Sequence, residues 1–187
     1  VTQSGSDAYS INKHFRTSNL LSYANKWVVN TTASGTGSGE GQYGLVYRDS
    51  SYNVTMKRDT VFINNGAGTL SGWYAYIQSS GMGGYNHSNT GVTIDSCYFR
   101  TVRGAAMYLG TGMPGLKIRN TILRSRMGTA LELGAAFDNS SNDPYIHHNT
   151  IMGNQAVYFS DYGPSGGGFS NNILWGTSSA SCDAYSA

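Results

Sequence analysis

Gly115-Leu116-Lys117-Ile118-Arg119-Asn120-Thr121-Ile122-Leu123, followed after a basic turn by Thr129-Ala130-Leu131-Glu132-Leu133-Gly134, decides the fold. The first part has apolar ends and a polar middle. The second is a short strand entered through a small residue, with alternating facing. In a strand, successive side chains point to opposite faces, so Leu131 and Leu133 face one way and Glu132 the other.

Working outward, both parts recur. The short strand returns as Gly44-Leu45-Val46-Tyr47, Ala75-Tyr76-Ile77, Ala106-Met107-Tyr108-Leu109 and Ala156-Val157-Tyr158-Phe159. The polar-centred run returns as Met56 to Val61, Ile94 to Phe99, Ile146 to Ile151 and Phe169 to Ile173. The alanines at 75, 106, 130 and 156 are 31, 24 and 26 residues apart, intervals at which solenoid repeats are sought. No intervening segment carries a helical period over about 10 residues, which excludes helical crossovers. Strands without helices between them stack in parallel if the chain coils, with equivalent strands about 4.8 Å apart. Ser96, Asn120, Asn149 and Asn171 fall at the expected bend; Asn tolerates left-handed backbone there, and its amide can bond the next turn's.

The runs Ile146-His147-His148-Asn149-Thr150-Ile151 and Phe169-Ser170-Asn171-Asn172-Ile173-Leu174 resemble the repeat of right-handed parallel β-helix proteins: pectate lyases, polysaccharide epimerases and phage tailspikes. The resemblance covers roughly residues 43–175. It implies an all-β, right-handed, single-stranded parallel β-helix of about five rungs over 43–187. Residues 1–42 are expected to form an irregular N-terminal cap containing Trp27, with a flexible Gly/Ser/Thr loop from Thr31 to Gly41.

Charged residues are 12% of the 187, about half the usual share, while Gly (25) and Tyr (14) are abundant. That balance points to an extracellular β-rich scaffold. The net charge of +2, without a Lys/Arg run, points away from nucleic acid. No apolar stretch reaches the roughly 18 residues of a membrane span. A chain starting at Val1 reads as a piece of a longer protein. Cys97 and Cys182 allow one internal bridge, left open here.

Outward positions of the short strands form a column of Val46, Tyr108, Glu132 and Tyr158; Tyr76 joins it only if Ala75 and Ile77 are the inward pair. Arg100, Arg103, Arg124 and Arg126 precede these strands, and Asp138, Asp143 and Asp161 follow. The resemblance places a glycan in the groove between those two sets. Tyr faces stack on sugar rings, and the Arg fork holds carboxylates. The substrate-binding candidates are therefore Tyr76, Tyr108, Tyr158, Arg103, Arg124 and Arg126. Glu132 and Asp161 are the catalytic candidates, for a hydrolase needing two carboxylates at a defined separation. An exposed Tyr ladder equally serves strand stacking alone. Neither the Asp calcium cluster of pectate lyases nor the polygalacturonase motifs occur.

His147 and His148, adjacent on a strand, are expected on opposite faces and unable to share an ion, so no metal and no cofactor are expected. Two functions fit: an extracellular or virion-surface module engaging an acidic or neutral polysaccharide with depolymerase activity left open, or a non-catalytic structural protein. Expected partners are the polysaccharide, neighbouring surface domains and other copies of the chain, in a trimer by analogy with tailspikes.

Overall fold

The computed structural model describes residues 2–3, 12–15, 18–31, 42–48, 53–64, 73–77, 91–109, 115–133, 145–159, 168–178 and 182–183; of these, 2–3, 12–15, 29, 31, 42–48, 73–77 and 182–183 are described by backbone alone. The described residues hold strands and no helix, and hence no helix long and apolar enough to cross a membrane.

The strands come in triplets. After β1 (Thr2–Gln3) and β2 (Asn12–Phe15) come β3 (Leu21–Tyr23), β4 (Lys26–Thr31) and β5 (Gln42–Arg48). Next are β6 (Thr55–Lys57), β7 (Thr60–Asn64) and β8 (Trp73–Ile77), then β9 (Thr93–Asp95), β10 (Tyr98–Thr101) and β11 (Met107–Leu109). Then follow β12 (Lys117–Arg119), β13 (Ile122–Ser125) and β14 (Thr129–Leu133). The last triplets are β15 (Tyr145–His147), β16 (Thr150–Gly153), β17 (Gln155–Phe159), and β18 (Gly168–Ser170), β19 (Ile173–Gly176), β20 (Cys182–Asp183).

Each member of a triplet joins its own parallel sheet. The first sheet is ordered β18-β15-β12-β9-β6-β3, the second β1-β4-β7-β10-β13-β16-β19 and the third β2-β5-β8-β11-β14-β17-β20. Strands returning in fixed cyclic order to three parallel sheets are consistent with a parallel β-solenoid. Parallel pairing reaches upstream of residue 43, because β3 pairs with β6 and β4 with β7. Trp27, expected in a cap, is in register with Val61 and packs half-buried against the core.

The core follows from alternation. Met107 and Leu109, Leu131 and Leu133, Val157 and Phe159 are all buried, as the inward parity required. Ile118, Leu123 and Leu131 carry one apolar cluster across all three sheets. The loop from Thr31 to Gly41 lies outside the described residues beyond Thr31.

The bend between the first and second sheets differs from expectation by one residue. Left-handed φ occurs at Ser96 (57°), Asn120 (52°) and Asn171 (53°), but in β15's turn at His148 (57°), not Asn149. Nor do these residues form the ladder. The next residue does: the Asn25 N–H donates to Asp59 Oδ1 (2.8 Å), Cys97 N–H to Thr121 Oγ1 (3.2 Å), Thr121 N–H to Asn149 Oδ1 (2.9 Å) and Asn149 N–H to Asn172 Oδ1 (2.9 Å). The physical reason is the left-handed residue itself. It throws its own side chain outward and turns the following one inward, where backbone donors need partners. Cys97 occupies one inward position unbridged, and burial pushes its thiol up to about 11.

One member breaks the ladder's chemistry. Asn149 and Asn172 use Nδ2 to donate to the preceding strand's carbonyl, Ile118 O at 3.0 Å and Ile146 O at 2.9 Å. Asp59 has an oxygen instead, and buried Oδ2 finds no partner among the described residues. Ser22, in register with Met56, is the equivalent of Ile118. Asp59→Asn therefore restores the missing donor while keeping the Oδ1 acceptor, and is expected to stabilise the fold by about 1 kcal/mol at neutral pH, read as a higher urea midpoint.

Candidate functional site

Register converts the outward column from a parity argument into neighbours. Tyr108 pairs with Tyr76 on one side and Glu132 on the other, and Glu132 pairs with Tyr158. Ala75 pairs with Met107 and Ile77 with Leu109, so Tyr76 stands in the column at backbone level, and Val46 pairs with it in turn. Tyr108, Glu132 and Tyr158 are each half-buried. Partial burial between the two Tyr-bearing strands costs Glu132 hydration, and this desolvation raises its pKa.

A raised carboxyl has a definite pH consequence. Below its ordinary 4.5, Glu132 is neutral both folded and unfolded. Between 4.5 and the raised folded value the unfolded chain ionises first, so stability falls as pH rises through that window. Glu132→Gln is expected to abolish that portion of the loss and raise stability at neutral pH; parallel wild-type and variant urea curves across the pH range measure it.

The arginines sit differently from expectation. Arg100 and Arg124 are not in turns. They lie on β10 and β13 in the second sheet, in an outward row running Val28, Phe62, Arg100, Arg124, Met152, Trp175. The apolar ends assigned to each run extended further as strand than its polar middle suggested. Arg126 does fall in the turn leading to β14, and half-buried Arg103 in the corresponding turn one triplet earlier. Along this row Phe62 meets Tyr98 edge-on (5.2 Å between centroids), with Lys26 Nζ 5.7 Å and the Arg100 guanidinium 5.9 Å from the Phe62 ring.

At the row's far end is a hollow of ≈ 280 Å³ lined by Arg124, Ser125, Arg126, Met152, Gly153, Trp175 and Thr177. Trp175 is 65% exposed and shares the lining of this hollow with Arg124 and Arg126. The structure thus brings together two predicted residues, Arg124 and Arg126, and adds Trp175 and Met152, which sequence reasoning missed. The signal was available: Leu174 faces inward, so parity alone puts Trp175 outward. Glu132, Tyr108 and Tyr158 lie on the adjoining third sheet. Asp161, with Asp138 and Asp143, lies outside the described residues.

The first sheet carries a polar cluster. Asp95 accepts from Arg119 Nη2 (3.1 Å), Asn120 Nδ2 (3.1 Å) and Ser96 Oγ (3.0 Å). Burial opposes ionisation of Asp95, but these bonds and the Arg119 charge outweigh it and lower its pKa. His147 and His148 are not on opposite faces. The left-handed φ at His148 ends the alternation, and the two Nδ1 atoms lie 2.9 Å apart with centroids 5.1 Å apart. Those two distances are nearly those of rings pointing at one another in line, the geometry of an N–H···N bond. Among the described residues no group of three or more His, Cys, Asp or Glu could hold a metal ion.

No family, curated protein or solved structure matches this chain.

Proposed function

We propose that the strand triplets close into turns of a right-handed parallel β-helix, about six with a partial turn before them, and that this helix is an extracellular or virion-surface module that engages a polysaccharide. Right-handed connection is the general preference when a chain returns to a parallel strand of the same sheet. The observation that carries the binding reading is the hollow flanked by Arg124 and Arg126, with Trp175 standing 65% exposed at its edge. A solvated indole face is a platform for the apolar face of a sugar ring, and guanidinium forks pair with carboxylate or sulfate groups. Low overall charge leaves hydroxyl-rich ligands free of strong repulsion.

The test is a panel of neutral and acidic polysaccharides applied to wild type, Trp175→Ala and Arg124→Ala. Both residues are exposed, so their loss leaves the fold's stability within about 0.5 kcal/mol. Trp175→Ala is expected to weaken glycan binding about tenfold or more, consistent with one stacked ring. Unchanged affinity in both variants would sink the reading.

A second reading, a structural protein that associates with its own copies, draws on a different observation. Phe169 occupies the inward row of the first sheet yet is 37% exposed, and Ile173 is 64% exposed, both on the last described strands of their sheets. Exposed apolar side chains on neighbouring strands offer a surface for association. A trimer or filament in solution, with no glycan bound, would favour it.

A further inference from the structure

Strand alternation would keep His147 and His148 apart, but the left-handed φ of 57° at His148 ends it and brings the two Nδ1 atoms within 2.9 Å. Imidazole nitrogens sit about 2.0–2.1 Å from a divalent transition-metal ion, so two at a right angle around it are about 2.9 Å apart and two at a tetrahedral angle about 3.4 Å. The observed span is that of the right angle, the arrangement that square-planar copper(II) and nickel(II) prefer. His148 is exposed and His147 half-buried, so an ion can reach both from solvent. The geometry points to a chelate site at the bend between β15 and β16, in which His147 Nδ1 and His148 Nδ1 hold one copper(II) ion. This site lies on the first sheet and is independent of the glycan-binding reading.

The surrounding fold holds both rings. β15 keeps His147 in register between Arg119 and Ser170. The His148 N–H donates to Ser170 O (3.2 Å), which fixes the bend from which that ring projects. The Asn171 amide lies 3.4 Å from His148 Nε2, where its oxygen, turned towards the ring, accepts the Nε2–H of a metal-bound imidazole. Arg119, the cation in register with His147, is paired with Asp95 at 3.1 Å. Without the ion the rings meet almost in line through their N–H···N bond. A swing of each ring by about 25° aims both lone pairs at one point. The Nδ1 proton of the donor ring moves through water to its own Nε2, so both rings bind as neutral imidazoles, and no electron is transferred. Among the described residues no third His, Cys, Asp or Glu joins the pair, so water completes the shell. For such nitrogen donors copper(II) binds ahead of nickel(II) and zinc(II).

The test titrates the full, untagged chain by calorimetry with copper(II), nickel(II) and zinc(II) chloride in a non-coordinating buffer. Electron paramagnetic resonance reads the copper(II) complex. His148→Asn keeps a residue that tolerates the left-handed bend, as at Asn120 and Asn171, and His147→Gln keeps a polar side chain on β15; urea midpoints check that both fold. Wild type is expected to bind one copper(II) at this site, more tightly than nickel or zinc, with nitrogen splitting from two imidazoles. Each variant is expected to lose the two-imidazole signature and at least the about 10–100-fold in affinity that removing a supporting partner costs. His14→Gln and His87→Gln are expected to keep both. No copper bound, equal copper affinity in His147→Gln or His148→Asn, or loss in His14→Gln or His87→Gln instead overturns the site. Zinc bound ahead of copper overturns the right-angle geometry.

Discussion

Gly153→Ala is expected to destabilise the fold by about 3 kcal/mol or more, and to remove with it the glycan binding proposed for the Trp175 hollow. A β-carbon at Gly153 would overlap the Gln155 carbonyl oxygen and lie 2.8 Å from Gly128 O and 2.9 Å from Ala130 N. At Gly128 it would lie 2.6 Å from Gly104 O. All of these are backbone atoms, which no side-chain rotation can clear. Gly104, Gly128 and Gly153 thus stack backbone on backbone at the corner between the second and third sheets. Neither Gly128 nor Gly153 has a left-handed φ, so the need for glycine there is one of space. Gly153 also lines the hollow, which ties the corner to the proposed binding surface. Gly168→Ala is the control: among the described residues its β-carbon would meet only the Tyr145 ring, at 3.4 and 4.0 Å. Thermal and urea unfolding of both variants decide the matter; equal midpoints would mean that the corner has room to relax.

Asn149→Ala is expected to cost about 3 kcal/mol, against about 1 kcal/mol or less for Asn120→Ala. The buried Asn149 side chain accepts from the Thr121 N–H and the Asn149 amide donates to Ile118 O and to Asn172 Oδ1 (3.1 Å). Truncation strands the buried Thr121 N–H, at about 1–3 kcal/mol, and removes the amide's bonds to Ile118 O and Asn172 Oδ1. Asn120 is exposed and its amide only adds to the cluster on Asp95. Chemical denaturation of the two variants side by side measures the difference. A similar loss in both would mean that the left-handed residue, not the inward one after it, carries the bend.

That contrast marks where sequence reading reached its limit. Asn120 and Asn149 looked like the same position because both sit amid a polar break in an apolar pattern. Alternation cannot count through a bend, since one left-handed residue resets which face the next side chain takes. The same reset moved His148 beside His147. On the uninterrupted strands parity held: Met107, Leu131 and Val157 face in, and Tyr108, Glu132 and Tyr158 stand together in register. Arg124 and Arg126 were picked out together as candidates and the structure brings them to one hollow, but the place of Arg124 on a strand was not legible, because the ends of these short strands leave little trace in residue type.

What this sequence determined by itself is an all-β chain of recurring short strands, and which residues of each strand face the core. The hydrophobic effect writes that information locally, in a period of two. What only the tertiary structure decided is which outward residues become neighbours. Successive members of the second sheet, Lys26, Thr60, Tyr98, Ile122, Thr150 and Ile173, are separated by 34, 38, 24, 28 and 23 residues. The intervals are unequal, so no fixed period predicts the register. Backbone pairing and the inward ladder of Thr121, Asn149 and Asn172 align one triplet on the next. That alignment sets Trp175 beside Met152 and Arg124, and Asp183 one strand beyond Tyr158.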